Sequence, residues 1–350
     1  MFVNMANKNR SIHLLVPGLL GPMPALDELL QFLLLELLLT RCTRERLTCG
    51  DLDSTLFSLF GVESAAGTDL PGGAFRRIAD GATADDRFWL QANPVFLRPD
   101  IDRLLLFDSE DLDFSQQEAD ALATLFNDYF VAEGLQLEAM TPHRWYLTLD
   151  DDPDLTTHGL AHVFGRNIDL FLPQGSDAMR WHRIMNETQM LFHSSNINFE
   201  RESRGKAPIN SLWFSGGGRS CRIQSSPFNF VQTDDAMTRG LAAMSDTSVS
   251  DFTSDLPEMA GAEGPGLIVY SKLQRTIWRA DPFDWSDGVA VFEAWLTPLV
   301  ERLRKKQIDE IRLYPCNGDC YRLTAGDLRR FWRRRKPFSH WLDSNPDFKR

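Results

Sequence analysis

The stretch that decides the fold is "SIHLLVPGLLG", residues 11–21. Short, apolar and ended by Pro17-Gly18, it reads as a buried strand running into a turn. Directly after it comes "ALDELLQFLLLELLLTRC", residues 25–42, whose apolar residues are interrupted by Asp27, Glu28, Gln31 and Glu36. Those polar positions make it too short and too charged for a membrane span, so it reads as an amphipathic helix packed on the strand. Strand, turn and helix in that order open an α/β layer. Further on, the same alternation returns in "GLIVYS", "GVAVFEAWLTPLVERLRKK" and "EIRLYP", followed by a hairpin to "CYRLT" and a helix over "AGDLRRFWRRR".

Between these two ends the pattern changes. "DLDSTLFSLFGV" (51–62) has helical spacing and a Gly61 stop, and "AFRRIADG" is a short helix. "PVFLRPDIDRLLLFD" (94–108) reads as two strands around Pro99-Asp100. Ser115 with Glu118 three residues on caps a long helix that stops at Gly134, and "HRWYLTLD" is another strand. "DAMRWHRIMNETQMLFHS" is a second long helix, and "PINSLWFSGGGR" (208–219) is a strand emptying into three glycines. Residues 94–150 therefore read as strand, strand, helix and strand, an α+β unit. The stretch 232–264 is rich in Ser, Thr, Asp, Gly and Ala, which predicts a surface excursion around a short "MTRGLAAM" helix. The expected division is a base over 11–90 plus 265–350, an insert over 93–220, and a linker or excursion over 225–264.

The chain has 350 residues and a net charge of −12, which argues against a nucleic-acid surface. "RRFWRRRK" (329–336) is the local exception, read either as the cationic end of a helix or as a docking patch for an acidic partner. Five dispersed cysteines fit a reducing cytoplasm, and "MFVNMANKNR" lacks the apolar core of a secretion signal. Cys316 and Cys320 flank an Asn-Gly turn without histidine partners, a poor zinc set. No nucleophile elbow, Walker loop or dinucleotide fingerprint occurs. His158 and His162, beside Asp150, Asp151, Asp152 and Asp154, are the remaining metal-like grouping, although Gly159 weakens a helix there. An anion would find its partners among arginines and amides set in polar turns: Arg103 and Arg144, then Asn198, Arg201 and Asn210 before the glycines. The backbone at Gly216 and Gly218 is free to approach a ligand closely.

The run Asn198-x-x-Arg201-x-x-x-Gly205-x-x-Pro208-x-Asn210, with "DIDR", "PHRWYL" and the glycine turn, resembles the substrate-side domain of archaeal-type cofactor-independent phosphoglycerate mutases, of the alkaline phosphatase superfamily. Ser215 stands where that family has an arginine. Over nearly the whole chain, "GRNIDLFLPQGSDA", "MNETQMLFH", "INSLWFSGGGR" and "DLRRFWRRR" resemble a proteobacterial group of phosphoglycerate mutase-like or RpfE-type regulatory proteins. The resemblance implies a reduced alkaline-phosphatase-like α/β base with an inserted α+β domain, and a phosphorylated or carboxylated ligand held by Arg103, Arg144, Asn198, Arg201, Asn210, Gly216 and Gly218. It does not carry over the two-metal set: the first strand ends in Val16-Pro17-Gly18, and the late strands lack histidine. The expectation is a cytoplasmic, non-catalytic binding or regulatory protein with no metal or other cofactor, no membrane contact and a protein or metabolite partner. The alternative is an active mutase or phosphatase taking ligands from Asp51, Asp53, the 150–154 cluster or the two histidines.

Overall fold

The computed structural model describes residues 10–23, 31–63, 67–100, 103–108, 112–164, 166–253 and 264–342. The chain forms two compact units, Met1–Val62 with Ile223–Arg350, and Glu63–Arg222. It opens with β1 (Ser11–Leu15), α1 (Leu33–Arg41), β2 (Thr43–Arg46) and α2 (Leu52–Phe60). The second unit follows: α3 (Gly72–Ala79), β3 (Phe88–Asp100), β4 (Arg103–Asp108), α4 (Gln116–Phe130), β5 (Gln136–Ala139) and β6 (Trp145–Leu149). It closes with α5 (Leu160–Val163), α6 (Ala178–His193), α7 (Asn196–Ser203) and β7 (Ser211–Gly218). The first unit resumes with β8 (Phe230–Thr233), α8 (Ala236–Met244), β9 (Val249–Ser250), β10 (Gly266–Val269), α9 (Lys272–Trp278), α10 (Pro282–Arg304), β11 (Glu310–Tyr314) and β12 (Asp319–Thr324).

In the first unit the strands lie in the order β2-β12-β11-β1-β10-β8-β9. β1 pairs in parallel with both β10 and β11, while β12 and β2 are antiparallel. The chain passes from β10 through α9 and α10 to β11, and so crosses over β1. Ile12 and Leu14 join Leu35 and Leu38 of α1, Val289 and Leu296 of α10, and Ile311 and Leu313 of β11 in one core. Burial of that apolar area, at about 25 cal/mol per Å², is what holds the layer together. His13, between Ile12 and Leu14, projects from the opposite face because side chains alternate along a strand.

The second unit is a five-stranded antiparallel sheet, β4-β3-β6-β5 with β7 also on β3. Leu122 and Phe126 of α4, Trp181 and Ile184 of α6, and Leu147 and Phe214 of the sheet form its separate core. Ser115 caps α4 with the reciprocal Glu118 contact that its spacing predicts.

Four expectations need correction. The unit boundary falls at residue 62, so 63–90 belongs with the insert and not the base. The reason is α3, which lies so close on β3 that a Cβ on Gly73 would sit 2.6 Å from the Leu90 and Gln91 backbone. Residues 225–264 are not an excursion where they are described: β8 and β9 extend the base sheet with α8 between them in the chain, and Val231, Met237, Leu241 and Ala242 are buried. Residues 254–263 lie outside the described residues, as do residues 25–30 of the helix expected over 25–42. The triglycine is the end of β7 itself and not a turn beyond it. "AGDLRRFWRRR" is no α-helix; only Asp327–Arg329 form a single 3-10 turn. No described helix is long and apolar enough to cross a membrane.

Candidate functional site

An open α/β sheet places its ligands outside the carboxyl ends of its strands, where the strand order reverses. Here that point is β1, flanked by β10 and β11. Beyond β1 the chain turns through Gly18 at φ 84°, and Val16, Leu19 and Leu20 are buried. Trp285 Nε1 donates to the Gly18 carbonyl at 2.8 Å. A Cβ on Gly18 would lie 2.9 Å from the Ile277 side chain and 3.0 Å from the Leu273 carbonyl oxygen. The turn is thus sealed by α9 and α10.

The neighbouring strand ends are equally committed. Past β8, Asp234 accepts from the Phe252 amide at 3.1 Å, and Asp235 caps α8 by accepting from Thr238 N at 2.8 Å. Asp51 caps α2, accepting from Ser54 N at 2.8 Å. Past β11 stands Cys316, at φ 62°, its thiol pushed well above the usual range by burial and then by the Asp51 carboxylate. Its surroundings thus favour the protonated thiol. Among the described residues, no group of three or more His, Cys, Asp or Glu side chains could hold a metal ion.

His13 is the one imidazole on this sheet. Its Nδ1 lies 3.0 Å from Tyr314 Oη, the two rings stack at 5.7 Å, and Phe228 meets it edge-on at 5.2 Å. Burial, then the Arg312 guanidinium, pushes its pKa down to about 4, against the pull of Glu310. Glu310 is itself gripped by Arg312 and Arg322, and Arg322 reaches on to Glu45 at 3.3 Å. A polar ladder therefore crosses β11, β12 and β2. Sequence reading passed over His13, although a lone polar residue inside "SIHLL" was the available signal.

The anion-site residues expected from sequence occupy separate places in the second unit. Arg144 holds Asp80 through Nε and Nη2, at 2.9 Å and 2.6 Å, and Tyr146 Oη donates to the same carboxylate at 2.7 Å. Asn198 donates to the Phe192 and Ile209 carbonyls and accepts from Ile209 N, so it ties α7 to the approach to β7. Arg201, 2% exposed, donates to Ala207 O, Asp113 O and Glu118 Oε1 and lies over the Phe114 ring. Asn210 clamps Leu97 through both its amide N–H and its carbonyl. Arg103 opens β4, and its side chain lies outside the described residues. Asn198 and Arg201 share α7; Arg144 belongs to a different network with Asp80.

At the triglycine, Gly216 N donates to Thr157 Oγ1 at 3.1 Å, and Thr157 N donates to the Asp69 carboxylate at 3.0 Å. A Cβ on Gly216 would touch Gly72, one on Gly217 would meet Phe88 and Leu90, and one on Gly218 would strike Pro71 at 2.7 Å. The glycines admit the first turn of α3 against β7. Their open backbone is spent on packing. Of the metal-like grouping, His158 precedes the Gly159 cap of α5 and so does not share a helix face with His162. Asp152 pairs with Arg219, and Asp154 accepts from Ser176.

No family model matches the chain, and no curated protein matches it in sequence. Among solved structures, the PH0037 protein from Pyrococcus horikoshii is similar at a TM-score of 0.51 and 14% identity, over 90% of this chain and 86% of that one. The cofactor-independent phosphoglycerate mutase from Thermoplasma acidophilum is similar at a TM-score of 0.43 and 17% identity, over 90% of each chain. The second likeness is too loose to bear on chemistry, and the first bears on fold alone. The chain thus adopts the expected fold class, a mostly parallel α/β base sheet joined by an antiparallel α+β insertion, and shares its fold with the PH0037 protein.

Proposed function

We propose that this chain is a mutase-like protein that acts by binding, in a regulatory capacity, rather than by phosphoryl transfer. One observation carries the reading: three carboxylates at the carboxyl edge of the base sheet, Asp51, Asp234 and Asp235, are already engaged. Asp51 and Asp235 cap helices, Asp234 holds the Phe252 amide, and the turn after β1 is sealed by Trp285. Two-metal phosphoryl transfer needs several carboxylates and histidines free to hold ions about 4 Å apart. Recruiting the caps for that purpose would sacrifice roughly 1 kcal/mol of helix stability at each.

The test pairs elemental analysis of the purified chain with mutase and phosphatase assays in added manganese. The expected result is no turnover above background and no stoichiometric metal. Bound metal together with turnover lost on chelation would overturn the proposal. A thermal-shift titration with 3-phosphoglycerate separates metabolite from macromolecular partners, because any ligand selective for the folded state raises the midpoint by mass action.

A further inference from the structure

We propose that Phe331 and Trp332, with the arginines beside them, form a docking site for a short acidic segment of a partner protein, one that carries apolar side chains among its carboxylates. Phe331 is 81% and Trp332 67% exposed, two large aromatic residues adjacent in the chain and both open to solvent. Their rings meet edge-to-face at 5.4 Å, so together they present one apolar prominence.

The segment is held in place rather than loose. Arg330 donates to Arg41 O at 2.9 Å and pairs with Asp327 at 2.6 Å. Arg333 donates to Cys42 O at 2.8 Å and Thr40 O at 3.3 Å. Lys336 N donates to the Thr40 hydroxyl at 3.2 Å, and the buried Phe338 closes the far side. Two guanidinium groups thus bind the orphan carbonyls at the end of α1 and leave the aromatic pair between them facing outward. Such anchoring lowers the ordering cost of association, which is what an interface anchor needs. Arg329 and Arg334, both exposed, have no partner among the described residues.

Charge decides the occupant. Residues 329–336 hold six basic and no acidic side chains in a chain of net charge −12. A membrane surface or a nucleic acid is an extended polyanion, whose contact would spread beyond this eight-residue patch onto a chain of net charge −12. A short acidic segment meets the patch alone. Exposed Trp, Phe and Arg are also the residue types that dominate binding energy at protein interfaces. The site is separate from the strand ends of the base sheet and does not depend on how that edge is used.

The experiment uses the full chain, its Phe331→Ser/Trp332→Ser variant and its Arg329→Gln/Arg334→Gln variant. Each is titrated against an array of synthetic acidic peptides in which Asp and Glu surround one or two Leu, Ile or Phe residues. All four positions are exposed, so both variants should keep the parent's thermal midpoint. Expected is binding by a subset of peptides, weakened about tenfold or more by either variant and falling with added salt. No binding by any peptide, or equal binding by parent and variants, overturns the proposal. So does variant-sensitive binding to phosphatidylserine vesicles or to a single-stranded oligonucleotide that exceeds binding to every peptide.

Discussion

At the scale of single residues, His13 makes the sharpest statement. With its folded pKa near 4 and its ordinary value 6.5, the unfolded chain takes up the proton first on acidification. Its contribution is therefore intact above about pH 6.5 and is lost as the pH falls toward 4. The ceiling on that loss is about 3 kcal/mol. In urea melts between pH 7 and pH 4.5, His13→Phe should show a flatter dependence of stability on pH than the parent. Superimposable profiles would mean that His13 is not the group responsible. Arg201 is the second case. Its hydrogen bonds all go inward, so Arg201→Ala should cost roughly 2–4 kcal/mol by stranding Glu118 and two carbonyls. Arg201→Lys should recover only part, since an ammonium cannot reproduce the fork. Denaturant midpoints decide it, and a neutral alanine variant would refute the structural role.

At the scale of elements, α3 and its sheet form a tight joint. Gly73→Ala would drive a Cβ into the β3 backbone and should lower the stability of the second unit by about 2 kcal/mol. Gly50→Ala, in the first unit and with nothing within 4 Å, is the uncrowded comparison and should leave the first unit within about 0.5 kcal/mol of the parent. Equal effects in thermal melts would contradict the packing. These joints also show what was legible. The Ser115–Glu118 spacing and the Gly61 stop marked α4 and α2, because caps are local chemistry. "DLRRFWRRR" misled: its composition suits a helix, yet Arg330 and Arg333 complement the end of α1 instead of their own segment. β5 went unseen because "QLEA" has only one buried apolar residue, Leu137, and acquires its strand form by pairing with β6.

For the whole molecule, the two separate cores are the main consequence. The second unit is one continuous stretch, Glu63–Arg222, with its own sheet and buried aromatic residues. A unit with its own core can fold alone. The excised fragment should therefore unfold in one cooperative transition, with matching midpoints by circular dichroism and tryptophan fluorescence. A fragment lacking such a transition would show that its core depends on the remaining chain.

The amino-acid sequence by itself determined the alternation of apolar strands and amphipathic helices, the helix caps and the α/β class, since each rests on neighbours a few residues apart. Tertiary structure alone decided which side chains are left over for function. Arg144, Arg201 and Asn210 carry the chemistry of an anion site in any sequence, but Asp80, Glu118 and Leu97, brought to them from 113 residues away at the farthest, absorb their hydrogen bonds. A polar group's availability depends on what the fold sets against it, and that partner is chosen by long-range packing.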